Sequence, residues 1–167
     1  HISHITSLSR IDEERYVRLD SFTVRSLELT RSMQDGGCSL IDVIDRTCSP
    51  MGARMLNRWV CFPLRNAADI NKRLDVVEEF FKDTSLREII DENTNGVGDL
   101  ERITAKVATG RVSPREMVQL KNALLCMQPI KDACERSENK TLALMADRID
   151  ACKELSDRLE MEIEPDP

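Results

Sequence analysis

Apolar residues recur along most of the chain at spacings of three and four, separated by short polar, Gly- or Pro-bearing breaks, so the pattern predicts helices joined by tight connections. The exception comes first. Ile5 to Ile11 and Arg15 to Leu19 show partial period-two alternation, broken at Ile5, Leu8 and Ile11, around the polar turn Asp12-Glu13-Glu14, which predicts a short N-terminal β-hairpin. Asp20 or Ser21 then caps a helix with Phe22, Val24, Leu27 and Leu29 on its apolar side, ending near Gln34 where Asp35-Gly36-Gly37 breaks the pattern. Ser39 opens a shorter helix in which Leu40, Val43 and Ile44 are expected to pack inward. Asp42 in its first turn is favourable against the helix dipole.

The stretch from Thr47 to Trp59 organises the chain. Ser49 is a favoured N-cap, and Pro50 takes the first helical position, where its missing N–H costs nothing and its fixed φ suits a helix. Met51, Met55, Leu56 and Trp59 follow at helical spacing, while Arg54, Asn57 and Arg58 cover the other face. Small Gly52 and Ala53 leave room for another backbone, and Pro63 stops the helix. This helix, with the single Trp on its apolar face, is expected to be the hub on which later helices pack.

Asn66 and Asp69 precede a helix from about Ala67 to Phe81, with Ile70, Leu74, Val77, Phe80 and Phe81 on one side and Lys72, Arg73, Glu78 and Glu79 exposed. Ser85 and Glu88 form a capping box for a short helix through Ile89 and Ile90, and Asn93 to Gly98 reads as a loop. Asp99 begins a helix through Leu100, Ile103, Val107 and Ala108 that Gly110 closes. Ser113-Pro114-Arg115-Glu116 combines an N-cap, a Pro at the first helical position and a capping-box Glu, the clearest helix start in the sequence. Met117, Leu120, Leu124 and Met127 continue it to Pro129, which is expected to kink or restart the helix and is the candidate joint. From Thr141, Leu142, Met145, Ile149, Cys152, Leu155, Leu159 and Ile163 form a stripe close to a 3.5-residue repeat. It reads as one long helix whose partner is either the chain's own helices or sequence outside it.

Four segments carry a family resemblance. Thr47 to Trp59 with Pro63-Leu64 is similar to the core-domain signature of the MutS family of DNA mismatch-repair ATPases, a Thr-x-x-x-Met-Gly-x-Arg-x-Leu-x-x-Trp run leading into Pro-Leu. Arg18-Leu19-Asp20 through Leu27-Glu28-Leu29, Gly98-Asp99-Leu100-Glu101-Arg102-Ile103 and Ser113-Pro114-Arg115-Glu116 match in the same order. The resemblance implies a mainly α fold: an irregular helical bundle with a short N-terminal β-hairpin and a long C-terminal lever helix. Residues 1–110 would form the core subdomain, and residues 111–167 the start of the lever helices, before the clamp.

Composition agrees with helices. The chain is 41% hydrophobic but only 4% aromatic, so Leu, Ile, Val, Met and Ala supply the core. Its formal charge of −6 argues against a free-standing module that neutralises many phosphates, without excluding DNA as a partner of a larger parent. Cys38, Cys48, Cys61, Cys126, Cys134 and Cys152 form no C-x-x-C pair, and the histidines are His1 and His4, so no zinc-ligand set has usable spacing. The thiols are expected to be reduced and packed as small apolar residues, and the compartment to be the cytosol. No apolar run approaches the roughly 20 residues that span a bilayer. An opening at His1 without an initiator Met, and a close on Glu164-Pro165-Asp166-Pro167, read as an excised segment.

The segment itself shows no means of doing chemistry. Gly36-Gly37 lacks the spacing and the Lys of a Walker A loop, the body of the chain has no histidine, and Glu101 and Arg102 point about 100 degrees apart on a helix. No catalytic, cofactor, metal or DNA-contacting residue is therefore assigned. The resemblance implies that the parent is a dimeric ATPase, using ATP and Mg2+ bound elsewhere. It would bind mispaired or looped double-stranded DNA through other domains, couple ATP binding to its DNA clamp, and signal to a MutL-type protein. It would be cytoplasmic and nucleoid-associated in a bacterium, with no membrane. Two other classes stay open on the residues alone: a free-standing helical protein–protein adapter with no DNA role, and a cysteine-based redox or metal sensor.

Overall fold

A computed structural model describes residues 14–164. Among them the chain forms α1 (Ser21–Ser26), α2 (Leu40–Ile44), α3 (Pro50–Cys61), α4 (Ala67–Lys82), α5 (Thr84–Gly96), α6 (Leu100–Ala108), α7 (Pro114–Arg136), α8 (Lys140–Ala146) and α9 (Lys153–Glu162). No helix among the described residues is long and apolar enough to cross a membrane. Among the described residues the chain divides into two compact units, 14–44 with Asn57–Asn71, and Asp45–Leu56 with 72–164.

In the first unit, Tyr16 forms a single antiparallel bridge with Leu64, flanked by Val17 N–H donating to the Pro63 carbonyl at 2.8 Å and Arg65 N–H to the Arg15 carbonyl at 3.0 Å. The Tyr16 ring meets Phe62 edge-on at 6.3 Å. Residues Arg15 to Val17 thus pair with the chain beyond α3, because Pro63 ends that helix and leaves extended backbone groups in need of partners. The other strand of the expected hairpin, Ile5 to Ile11, lies outside the described residues.

Asp20 caps α1 as expected, accepting from Thr23 N–H at 2.7 Å. The helix stops at Ser26 rather than near Gln34. Glu28 turns left-handed at φ 49°, its carboxylate accepts from Met33 N–H at 2.7 Å, and the Glu28 and Leu29 carbonyls accept from Leu40 and Ile41 N–H. These bonds close a loop onto the start of α2 instead of another helical turn. There Ser39 is buried and exchanges hydrogen bonds with Asp42: the Ser39 N–H and hydroxyl donate to the carboxylate, and Asp42 N–H donates to the hydroxyl. Leu40, Val43 and Ile44, expected inward, are exposed.

The second unit is built around α7, which spans about 35 Å at 1.5 Å per residue. Helices α5, α6, α8 and α9 all pack on it. Its C-terminal half supplies Ile130, Ala133 and Cys134 to a cluster with Leu86 of α5 and Leu142 and Ala146 of α8. Its N-terminal half supplies Leu120 and Leu124 to a second cluster with Ile103 of α6 and Leu159 of α9. The hub is therefore α7, not the Trp59 helix: Met51 packs against the larger cluster, whereas Met55 and Trp59 are exposed. Gly52 admits not another backbone but the Thr47 side chain, whose Cβ would lie 3.2 Å from an added methyl.

Other expectations shift by smaller amounts. On α4 the residues that reach the core are Val76 and Phe80, while Ile70, Leu74, Val77 and Phe81 are exposed. The cap of α5 is Asp83, accepting from Leu86 N–H at 2.9 Å, and the helix runs through Asn93 to Gly96, where a loop was expected. Asn93, Thr94 and Asn95 bond back to carbonyls three or four residues earlier, so polar side chains serve the helix instead of breaking it. Helix α7 passes through Pro129 without restarting, and Ile130, Ala133 and Cys134 immediately beyond it are buried in the larger cluster. The stripe from Leu142 to Ile163 is two helices, because the backbone turns at Asp147 and Cys152 is left-handed at φ 45°. Among its members Leu142 and Leu159 are buried, on different clusters, and Met145 and Leu155 are exposed. Among the thiols, Cys134 is buried, Cys61, Cys126 and Cys152 are half-buried, and Cys38 and Cys48 are exposed; all are free.

Candidate functional site: charged ties between the motif segments

Helices α3, α6 and α7 begin with well-made caps, and the charges beside those caps bind the helices to one another. Ser49 accepts from Gly52 N–H at 3.1 Å and starts α3, which places Arg54 one turn in. Asp99 caps α6 by accepting from Arg102 N–H at 3.3 Å. Ser113 caps α7 in a full capping box with Glu116.

Arg54 reaches from α3 to the start of α6. Its guanidinium donates to both oxygens of Asp99, at 3.0 and 2.7 Å, and to Oε2 of Glu101 through Nε and Nη2, at 3.0 and 2.6 Å. A planar fork matched to a carboxylate is the strong form of such a bond. The hydrogen bonds to Asp99 and then Glu101 hold the guanidinium proton more firmly than usual, and Arg54 in turn keeps the Asp99 carboxyl below its ordinary range. The side chain of Asp99 is only 20% exposed, so the pair is partly shielded from solvent.

A second tie joins α6 to α7. Lys106 pairs with Oε1 of Glu116, whose other oxygen accepts from Ser113 N–H at 3.0 Å. Lys106 first, and the Ser113 backbone second, hold the Glu116 carboxyl low. Between the two ties α6 closes as expected: Gly110 takes φ 66°, Gly110 N–H donates to the Val107 carbonyl, and Arg111 N–H donates to that of Lys106.

Two of the four motif segments are thus fastened to each other through Arg54, Asp99 and Glu101, and a third is tied through Glu116 to Lys106, just beyond the second. Sequence spacing places Arg54 on the face of its helix opposite the apolar one and makes Glu101 and Arg102 separate surface contacts. The overlooked signal was complementarity, an arginine in one motif and two acids in another. The residue family described as MutS domain III matches residues 22–167. The chain belongs to the MutS domain III family. It is 56% identical over 166 residues to the DNA mismatch repair protein MutS of Bacteroides fragilis, covering 99% of this chain and 19% of that protein. It is 55% identical over 166 residues to the MutS of Phocaeicola vulgatus, with the same coverage, and 41% identical over 165 residues to that of Christiangramia forsetii, again covering 99% of this chain and 19% of the relative. The chain therefore spans about a fifth of the length of these MutS proteins. Three of the four segments read as MutS-like in the sequence lie on the helices that the two ties connect.

Proposed function

We propose that this chain is the structural core and the start of the lever of a DNA mismatch-repair ATPase. In this reading residues 1–110 form the core, and residues 111–167 begin the lever helices. The parent binds mispaired or looped DNA as a dimer, takes ATP and Mg2+ at sites in other domains, couples ATP binding to its DNA clamp, and passes the signal to a MutL-type protein in the bacterial cytoplasm, at the nucleoid. A part of this kind needs stiffness between defined ends, since packed interfaces switch between discrete arrangements instead of deforming continuously.

The observation that carries the reading is the pair of charged ties, which fasten the first half of α3 to the start of α6 and the last turn of α6 to the start of α7, the longest helix. The family membership supports the assignment to mismatch repair. The test uses the full-length protein with Arg54→Ala, measuring affinity for mismatched DNA with and without ATP. The expected result is near-normal affinity without nucleotide and an ATP-induced weakening reduced about fivefold or more. Coupling no more impaired than in an equally destabilised core variant such as Leu142→Ala would reject the bracing role.

A further inference from the structure

Lys121 is a buried lysine on α7, its side chain 10% exposed, with Nζ 2.5 Å from Oε2 of Glu160 on α9. Such an ammonium needs either an anion or water. One turn before Glu160, Ser156 is buried, and Leu159 is the buried apolar residue that α9 brings to the smaller cluster. A joint of residues 147–152 separates this helix from α8. Asp150 turns that joint by accepting from Cys152 N–H at 2.8 Å, and Cys152 sits at the N-cap in the left-handed region with no side-chain cap bond. A left-handed backbone disfavours a non-Gly residue there. Helix α8, just before the joint, is anchored in the other cluster through Leu142 and Ala146.

We infer that α9 is a latch. It undocks from α7 as a unit about the 147–152 joint, leaving α8 in place, and the Lys121–Glu160 pair holds it closed. Opening hydrates the ammonium and uncovers Leu120 and Leu124; closing restores both the pair and the apolar contact. The two short helices rest on separate clusters, which allows one to leave without the other, and local openings of this kind are drawn from elements with few buried contacts. Glu160 is largely exposed, so salt screens the pair and favours the open form. The inference concerns this segment alone and does not depend on what the parent protein binds.

Hydrogen exchange of the full-length protein, read by mass spectrometry on peptides from α7, α8 and α9, tests it. In the unaltered protein α9 is expected to exchange faster than the buried half of α7, and faster again at high salt. Glu160→Gln keeps helix propensity but removes the anion, and should speed α9 exchange about tenfold while α8 is unchanged. Lys121→Met replaces the buried charge with an apolar chain and should bring α9 back to the original rate or below it. Exchange of α9 and α7 in a single shared event, or an α9 rate unchanged by Glu160→Gln, would overturn the latch.

Discussion

Arg54 and Asp99 meet as a two-pronged pair, with Nη1 and Nη2 of the guanidinium each donating to a different oxygen of the carboxylate, at 3.0 and 2.7 Å. Because Asp99 also caps α6, one side chain both starts that helix and fastens it to α3. Arg54→Lys keeps the charge and loses the fork, so the thermal midpoint should fall nearly as far as in Arg54→Ala. Asp99→Asn keeps a good cap and loses the ion pair. A double-mutant cycle over these substitutions should return a clear coupling, whereas additive losses would mean that the pair does not act as a unit.

Leu124 and Leu125 are adjacent on α7 and separate burial from chemistry, since one is buried in the smaller cluster and the other is 57% exposed. Leu124→Ala is expected to cost about 2–5 kcal/mol in urea unfolding, and Leu125→Ala about 0.5 kcal/mol. Equal losses would place the face of α7 wrongly.

Gly96 lies where α5 approaches α7, and a methyl there would come 2.9 Å from Sγ of Cys126. Gly96→Ala gains helix propensity but must displace that sulfur. In a Cys126→Ala background the same substitution should be more favourable, with a coupling of about 0.5–3 kcal/mol in denaturant melts. No coupling would mean that the sulfur simply rotates aside.

Acid should destabilise the fold through its caps and ties. Asp99 is held low first by Arg54, Glu116 first by Lys106 and Asp42 first by the Ser39 N–H. Each carboxylate binds its proton more weakly folded than unfolded, so its contribution is present above the unfolded values of about 4 and is lost as the pH falls through the lower folded values. The thermal midpoint should therefore drop steadily through that acid range, and Glu116→Gln should flatten part of the slope. At the alkaline end burial pushes the Cys134 thiol up, so its contribution is present below the unfolded value of about 8.5 and fades as the pH rises through the folded one. Cys134→Ala should remove that alkaline limb.

The sequence by itself determined the helical class, the family and most helix starts. Capping is a local transaction among three or four neighbouring residues: Asp20 with Thr23, Ser49 with Gly52, Ser113 with Glu116, and the Gly110 closure of α6 are all legible from spacing. Tertiary structure decided which apolar faces are covered. The Met55 and Trp59 side of α3 satisfies a helical period as well as the Leu120 and Leu124 side of α7, yet only the latter is buried, because periodicity records amphipathicity and not the partner that meets it. It also decided where a sustained stripe breaks: Leu142 and Leu159 keep a helical phase across a joint that Asp150 and the left-handed Cys152 create. The ties from Arg54 to Asp99 and from Lys106 to Glu116 belong to tertiary structure too, since each joins carboxylates and cations that only the packing of α3, α6 and α7 brings within hydrogen-bond reach.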